Sequence, residues 1–202
     1  MSDNQEQRHF DQLAERWDEV RATDSDKLRL LVEMTGLTAG DSVLDVGCGT
    51  GVLAPYLRQA VGEQGRITAI DFSANMISRG AGKHAVSAGI RFVAGDIMEF
   101  QSAEKFDKII CLNFFPHMAD KPAFIRKMAQ LLQMEGCLVI MHDISRETVN
   151  GIHKESAVVT NDRLPKGEKT AEMLTAAGYH VTDVIDNQQL YFVRAAWRPG
   201  GI

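Results

Sequence analysis

Residues 43–51 read VLDVGCGTG. A short apolar run carries an acid (Val43, Leu44, Asp45, Val46), glycines fill every second position (Gly47, Gly49, Gly51), and helical periodicity begins near Val52. That order describes a buried strand, a tight turn and a helix. Glycine suits a turn that takes positive φ and lets a ligand come close to the backbone. Such a turn sets free N–H groups and the positive end of a helix at a crevice, a setting for a nucleoside or a carboxylate. Two further strand-plus-acid units follow. Residues 66–71 (RITAID) end in Asp71, twenty positions after Gly51, where an acid accepts from ribose hydroxyls. Residues 90–96 (IRFVAGD) form a third strand ending in Asp96.

With these three units the chain from Asp41 onward resembles the class I S-adenosylmethionine-dependent methyltransferases. The resemblance implies that the segment matching VLDVGCGTG wraps the methionine part of the cofactor, that Asp71 holds the ribose, and that Asp96 lies by the adenine amino group. It also implies a cofactor site for S-adenosyl-L-methionine, with S-adenosyl-L-homocysteine as product, drawn from Asp45, Gly47, Gly49, Gly51, Asp71, Phe72, Met76, Asp96, Ile97 and Asn113. Asp45 would fix the glycine loop or reach the methionine amino group indirectly. Met76 would face the crevice one turn into its helix, although a methionine at that spacing also suits a core. Nicotinamide-binding folds use G-x-G-x-x-G, whereas here the third glycine comes one residue earlier.

Residues 7–20 place Phe10, Leu13, Ala14, Trp17 and Val20 at helical spacing. The segment FDQLAERWDEV resembles the opening of the ubiquinone and menaquinone methyltransferase group, which implies a helical lid over cofactor and acceptor. An amphipathic helix that only covers the sheet is the alternative. An aromatic such as Trp17 beside a sulfonium can add a cation–π contact.

The whole chain, 202 residues with 45% apolar residues, fits one domain that buries its own core. It divides into a helical N-terminal cap over 1–36 and a Rossmann-like core over 41–202. The net charge of −5, with no long basic run, points away from a membrane surface and from nucleic acid as partners. The polar start MSDNQEQRHF and the absence of a long apolar run make the expected localisation cytoplasmic. Cys48, Cys111 and Cys137 are odd in number and lie in apolar contexts, so they read as buried thiols.

In order, the chain places Ser73 as the cap of a helix over 75–87, strand four over 106–112, a helix from Asp120 to Leu132, strand five over 136–143, and a last helix over 164–177 with Gly178 beyond it. Residues 180–186 and 189–197 close as an antiparallel pair about Asn187 and Gln188. The fold class is therefore α/β: a Rossmann-like seven-stranded mostly parallel sheet with a C-terminal antiparallel hairpin, helices on both faces and an N-terminal helical lid. Residues 145–166 are the least periodic, and ligand-facing loops concentrate after such strands.

A sulfonium is already an activated methyl donor, so the protein mainly aligns a nucleophile. A base is needed only where the acceptor arrives protonated. His117 and His142 are the candidate catalytic bases, each at the end of a strand. His117, His142 and His153, with Asp143, are the alternative candidates for a metal site, although their spacing matches no tight zinc signature. Asn113, Phe114, Phe115 and Pro116 depart from the NPPY-like tetrapeptide of amino-methyltransferases, and Phe114, Phe115 and Met118 suit an apolar small-molecule acceptor. A cofactor-binding scaffold without turnover, a nucleotide-dependent oxidoreductase and an RNA-directed enzyme are the rival readings. Oligomeric state and acceptor atom are not written in these motifs.

Overall fold

The computed structural model describes residues 3–21, 23–85 and 89–198, with helices and strands alternating through most of the chain. Contacts group it into two compact units, Met1–Phe100 and Gln101–Ile202. The N-terminal helices pack within the first unit. Doubly wound α/β folds are themselves assembled from two halves, which is why a midpoint division arises.

The first unit opens with α1 (Asp3–Leu13), a 3-10 turn over Ala14–Arg16, and a short α2 (Trp17–Val20). One continuous helix over 7–20 is what the spacing predicts. The turn interrupts it, Arg16 leaving the helical region at φ −112° and ψ 7°. Helix α3 (Ser25–Met34) starts at Asp24, whose carboxylate accepts from the backbone N–H groups of Asp26 and Lys27, and buries Leu28, Leu31 and Val32. Strand β1 (Ser42–Val46) is buried at every position, as a central parallel strand requires. The glycine loop then leads to α4 (Ala54–Val61), with Pro55 in its first turn. Strand β2 (Arg66–Asp71), α5 (Ala74–Lys83) and β3 (Ile90–Ala94) complete the unit, with β2 paired in parallel to both β1 and β3. Ser73 caps α5, its Oγ accepting from the Met76 N–H. The helix ends at Lys83, with His84 leaving the helical region at φ −111°, short of the expected end at residue 87; residues 86 and 87 lie outside the described residues.

The second unit runs β4 (Phe106–Leu112), α6 (Lys121–Leu131), β5 (Leu132–His142), α7 (Arg146–Glu155), α8 (Gly167–Ala176), β6 (Tyr179–Asp186) and β7 (Tyr191–Trp197). Strand β5 pairs in parallel with β4 and antiparallel with β7, and β7 pairs antiparallel with β6. The antiparallel closure is the expected one, and the seven strands are the α/β, mostly parallel set that the sequence predicts. Several boundaries differ, among them the starts of α8 at Gly167 instead of residue 164 and of β7 at Tyr191 instead of residue 189. Strand β5 begins at Leu132 instead of residue 136, passing through Glu135 at φ 65°. The aperiodic stretch after it holds α7, whose single buried residue, Val149, is too little for a periodic signal. Ser145 caps that helix by accepting from the Thr148 N–H.

Cys48 and Cys111 are buried, as expected, while Cys137 is half-buried and all three are free thiols. Among the described residues no helix is long and apolar enough to cross a membrane.

Packing overrides helix propensity within α5. A Cβ on Gly80 would lie 2.9 Å from the Phe92 ring and 3.2 Å from the backbone of Thr50, whereas one on Gly82 would meet nothing. Gly80→Ala should therefore lower the thermal midpoint, while Gly82→Ala should raise stability by about 0.5–1 kcal/mol through propensity alone. Calorimetry of the two variants checks this, and a stabilised Gly80→Ala would contradict the close approach of α5 to the glycine loop.

Candidate active site

In the first unit the glycine loop folds back on β2. Gly47 and Cys48 both donate their N–H groups to the Ile70 carbonyl, at 2.9 and 3.1 Å, and Gly51 closes a turn on the Cys48 carbonyl at 2.9 Å. Asp71 ends β2 beside this loop. One carboxylate oxygen accepts from the Gly49 N–H at 2.9 Å and the other from the Ser73 N–H at 2.9 Å. The acid thus joins the glycine loop to the turn that starts α5, and its own orientation is set by both.

Two of the glycines answer to different demands. Gly49 sits at φ 53°, and a Cβ there would lie 3.3 Å from the indole nitrogen of Trp17. Gly51 sits at φ 79°, and a Cβ there would meet His84 and Phe92 at 3.1 Å. Only the first faces the surface where a ligand approach was expected. The second serves packing beneath the loop.

The N-terminal arm reaches this surface along its whole length. Gln7 donates to the Phe72 carbonyl at 2.9 Å, and Phe10 packs edge-on against both Phe72 and Trp17. Asp11 accepts from the Ser73 hydroxyl at 2.5 Å and, through its carbonyl, from the Asn75 amide at 3.2 Å. Asp18 accepts from the Thr50 hydroxyl at 2.6 Å and pairs with Lys83 at 2.9 Å. The arm therefore covers the loop that the sequence reading assigns to the cofactor.

Asp45 lies beneath, only 2% exposed. Burial, followed by the charge of Asp71, pushes its carboxyl up to about 7. The same burial raises the Cys48 thiol well above its ordinary range, leaving it inert as a nucleophile. Met76 is 1% exposed, so it belongs to the core packing of α5 in this structure and does not face a crevice. Asp96 is exposed and accepts from the Met98 N–H at 2.8 Å, while the neighbouring Ile97 is buried.

The second unit gathers its own polar groups after β4 and β5. Asn113 adopts φ 55°, donates its side-chain amide to Asp143 at 2.9 Å, and buries its side-chain oxygen without a hydrogen bond among the described residues. A buried acceptor left so is rare, and a ligand ammonium or hydroxyl would satisfy it. His117 contacts Asp162 through Nδ1 at 2.6 Å, and the His153 ring lies 5.2 Å from that of His117. His142 is separate in character: it is 1% exposed and set edge-on to Tyr191, a core position unsuited to a base that must meet an acceptor. The histidine cluster is thus the pair His117 and His153. Among the described residues no group of three or more His, Cys, Asp or Glu side chains is arranged to hold a metal ion, so the alternative of a metal site at His117, His142 and His153 finds no support there. Phe115 is core, packed against Phe124, and Phe114 is half-buried against the same ring. Asp162 had no signal in the sequence, standing 45 positions from His117.

These features have known counterparts. The family described as a methyltransferase domain matches residues 37–191, most of the chain. The chain belongs to this family. It is of the class I, S-adenosylmethionine-dependent kind. Among curated proteins it is similar to the demethylmenaquinone methyltransferase of Staphylococcus aureus, 32% identical over 114 residues, which is 56% of this chain and 47% of that protein. The chain spans about half the length of the curated relatives it matches. Its fold is that of an S-adenosylmethionine-dependent methyltransferase from Aquifex aeolicus, with TM-score 0.74 and 20% identity over 93% of this chain and 98% of that one. A further likeness is to the N-methyltransferase NodS from Bradyrhizobium japonicum, solved with S-adenosyl-L-homocysteine, with TM-score 0.65 and 21% identity over 85% and 84% of the two chains.

The residues present fit this family's cofactor. The anchored Asp71 offers a carboxylate for a diol, and the glycine loop presents backbone where a side chain would intrude.

The raised Asp45 makes stability depend on pH with a definite sign. Its folded-state value lies above the ordinary carboxylate value, so its contribution is present at low pH and lost as pH rises from about 4 to about 7. In urea unfolding the native chain should lose stability across that window relative to Asp45→Asn, which cannot titrate. Parallel pH profiles for the two proteins would show that Asp45 is not buried as a neutral acid.

Proposed function

We propose that the protein transfers a methyl group from S-adenosyl-L-methionine to a small organic acceptor. The observation that carries this reading is the Asp71 carboxylate, held by the Gly49 and Ser73 N–H groups at the mouth of the glycine loop. Bound there, the cofactor supplies a sulfonium-activated methyl group. Asp71 would accept the ribose hydroxyls, Asp96 and the Ile97 backbone would meet the adenine, and Gly47 and Gly49 would give the methionine part its close backbone contact, with Gly51 packed beneath. Asp45, lying below the loop, would answer the cationic amino group by electrostatics, since a positive ligand favours its ionised form. Phe72 would line the site beneath the arm and Asn113 would accept a donor from the ligand.

The arm over residues 7–20 serves as the lid in this reading. Its contacts to Phe72, Ser73, Asn75 and Thr50 fall on the segments that would hold the cofactor, so they order a site that must exclude water for methyl transfer. His117, half-buried in the turn after β4, would act as general base where the acceptor brings a proton. The Staphylococcus relative is named for demethylmenaquinone, and an analogue of that compound in reduced form is the first acceptor to test.

Asp71→Ala strands the ribose hydroxyls without their acceptor and also releases two backbone N–H groups. Cofactor affinity should fall by about 1–3 kcal/mol. Titration calorimetry with S-adenosyl-L-methionine measures it, and an unchanged affinity would remove Asp71 from the site.

A further inference from the structure

A single residue, Asp162, meets both imidazoles of the His117–His153 pair. Its carboxylate meets His117 Nδ1 at 2.6 Å, and its backbone carbonyl meets His153 Nδ1 at 3.3 Å. A carbonyl oxygen can only accept, so His153 must carry its proton on Nδ1. A carboxylate likewise only accepts, so the His117 Nδ1 is also the donor. When neutral, both rings therefore keep Nε2 as the lone-pair nitrogen.

His153 is held below the usual histidine range, by burial first and by the neighbouring His117 second. The Asp162 carboxylate meets the His117 ring, while the backbone carbonyl of the same residue meets His153. The other charged groups near Asp162 are Lys121, whose ammonium is tied to the Pro116 and Met118 carbonyls, and Arg163, which donates to the Thr160 and Asp162 carbonyls. Among the described residues neither donates a hydrogen bond to the carboxylate, whose bonded ring is His117.

We infer that Asp162 is a positioning residue that locks His117 with Nε2 as proton acceptor, and that the methyl acceptor is a proton-bearing nucleophile, a phenol or enol hydroxyl or an acidic C–H. The substrate class rests on the methyl-transfer reading. The tautomer does not. The step balances without a further reactant: the acceptor's proton moves to His117 Nε2, its electron pair forms the bond to the methyl carbon, and the carbon–sulfur pair leaves with sulfur as a neutral thioether. A tertiary amine or thioether acceptor would have no proton to give and no use for this arrangement.

Long-range proton–nitrogen correlation spectra of the full chain labelled at histidine nitrogen test the tautomer directly. In the neutral form His117 and His153 should both show a protonated Nδ1 and a bare Nε2. Asp162→Ala should return His117 toward the Nε2-protonated form, while His153, bonded to the backbone carbonyl, keeps its pattern. Asp162→Glu should restore the His117 signature. A protonated Nε2 on His117 in the unaltered protein, or a His117 pattern indifferent to Asp162→Ala, would overturn the inference.

Release of S-adenosyl-L-homocysteine with a reduced naphthoquinone as probe then tests the chemistry. Asp162→Ala should lower kcat by about tenfold or more and leave the KM for S-adenosyl-L-methionine unchanged. An unreduced kcat would overturn the positioning role. Failure of methyl transfer itself would show separately, as no product from the unaltered protein and no binding of the cofactor, with the spectra still deciding the tautomer.

Discussion

A carboxylate at the end of a strand, accepting one backbone N–H from a glycine loop and another from the next turn, constrains both segments at once. Asp71 does this with Gly49 and Ser73, each at 2.9 Å. Hydrogen bonds to a charged group contribute about 1.5–3 kcal/mol, so this acid is a structural tie as well as a ligand group. Around it the loop takes the positive φ that only glycine accepts easily, α5 comes close enough that Gly80 cannot be alanine, and Asp45 is driven toward its neutral form beneath. The N-terminal arm then bonds to the same two segments. Remove the carboxylate, and the loop and the turn lose their common point of attachment.

What was legible in the sequence is what local chemistry dictates. The strand–glycine–helix order at 43–51 and the acids at Asp71 and Asp96 are short-range patterns, and the structure places each at the end of its strand. Caps such as Ser73 and Asp120 are equally local, since each is a side-chain acceptor a few residues from the N–H it serves. The closing antiparallel pair announced itself through alternating residues about Asn187, whose N–H closes the turn on Leu190.

The misses share a different cause, which is distance along the chain. His142 sits at the end of a strand like a catalytic residue, yet packing against Tyr191 from β7 buries it. Asp162 meets His117 only because α7 and the segment after it fold back, with Asn150 clamping the Leu164 backbone through two hydrogen bonds. Met76 and Phe115 carry side chains that suit a crevice or a core equally, and only packing could choose the core. Gly51 was legible as a glycine but not for its reason, which is the ring pair of His84 and Phe92.

The most direct test of the donor assignment is calorimetric titration of the full chain with S-adenosyl-L-homocysteine and, in parallel, with NAD. Saturable binding of the first at a single site, with no heat from the second, is the expected result. Equal binding of both, or binding of NAD alone, would contradict the assignment of the glycine loop and Asp71 to S-adenosylmethionine.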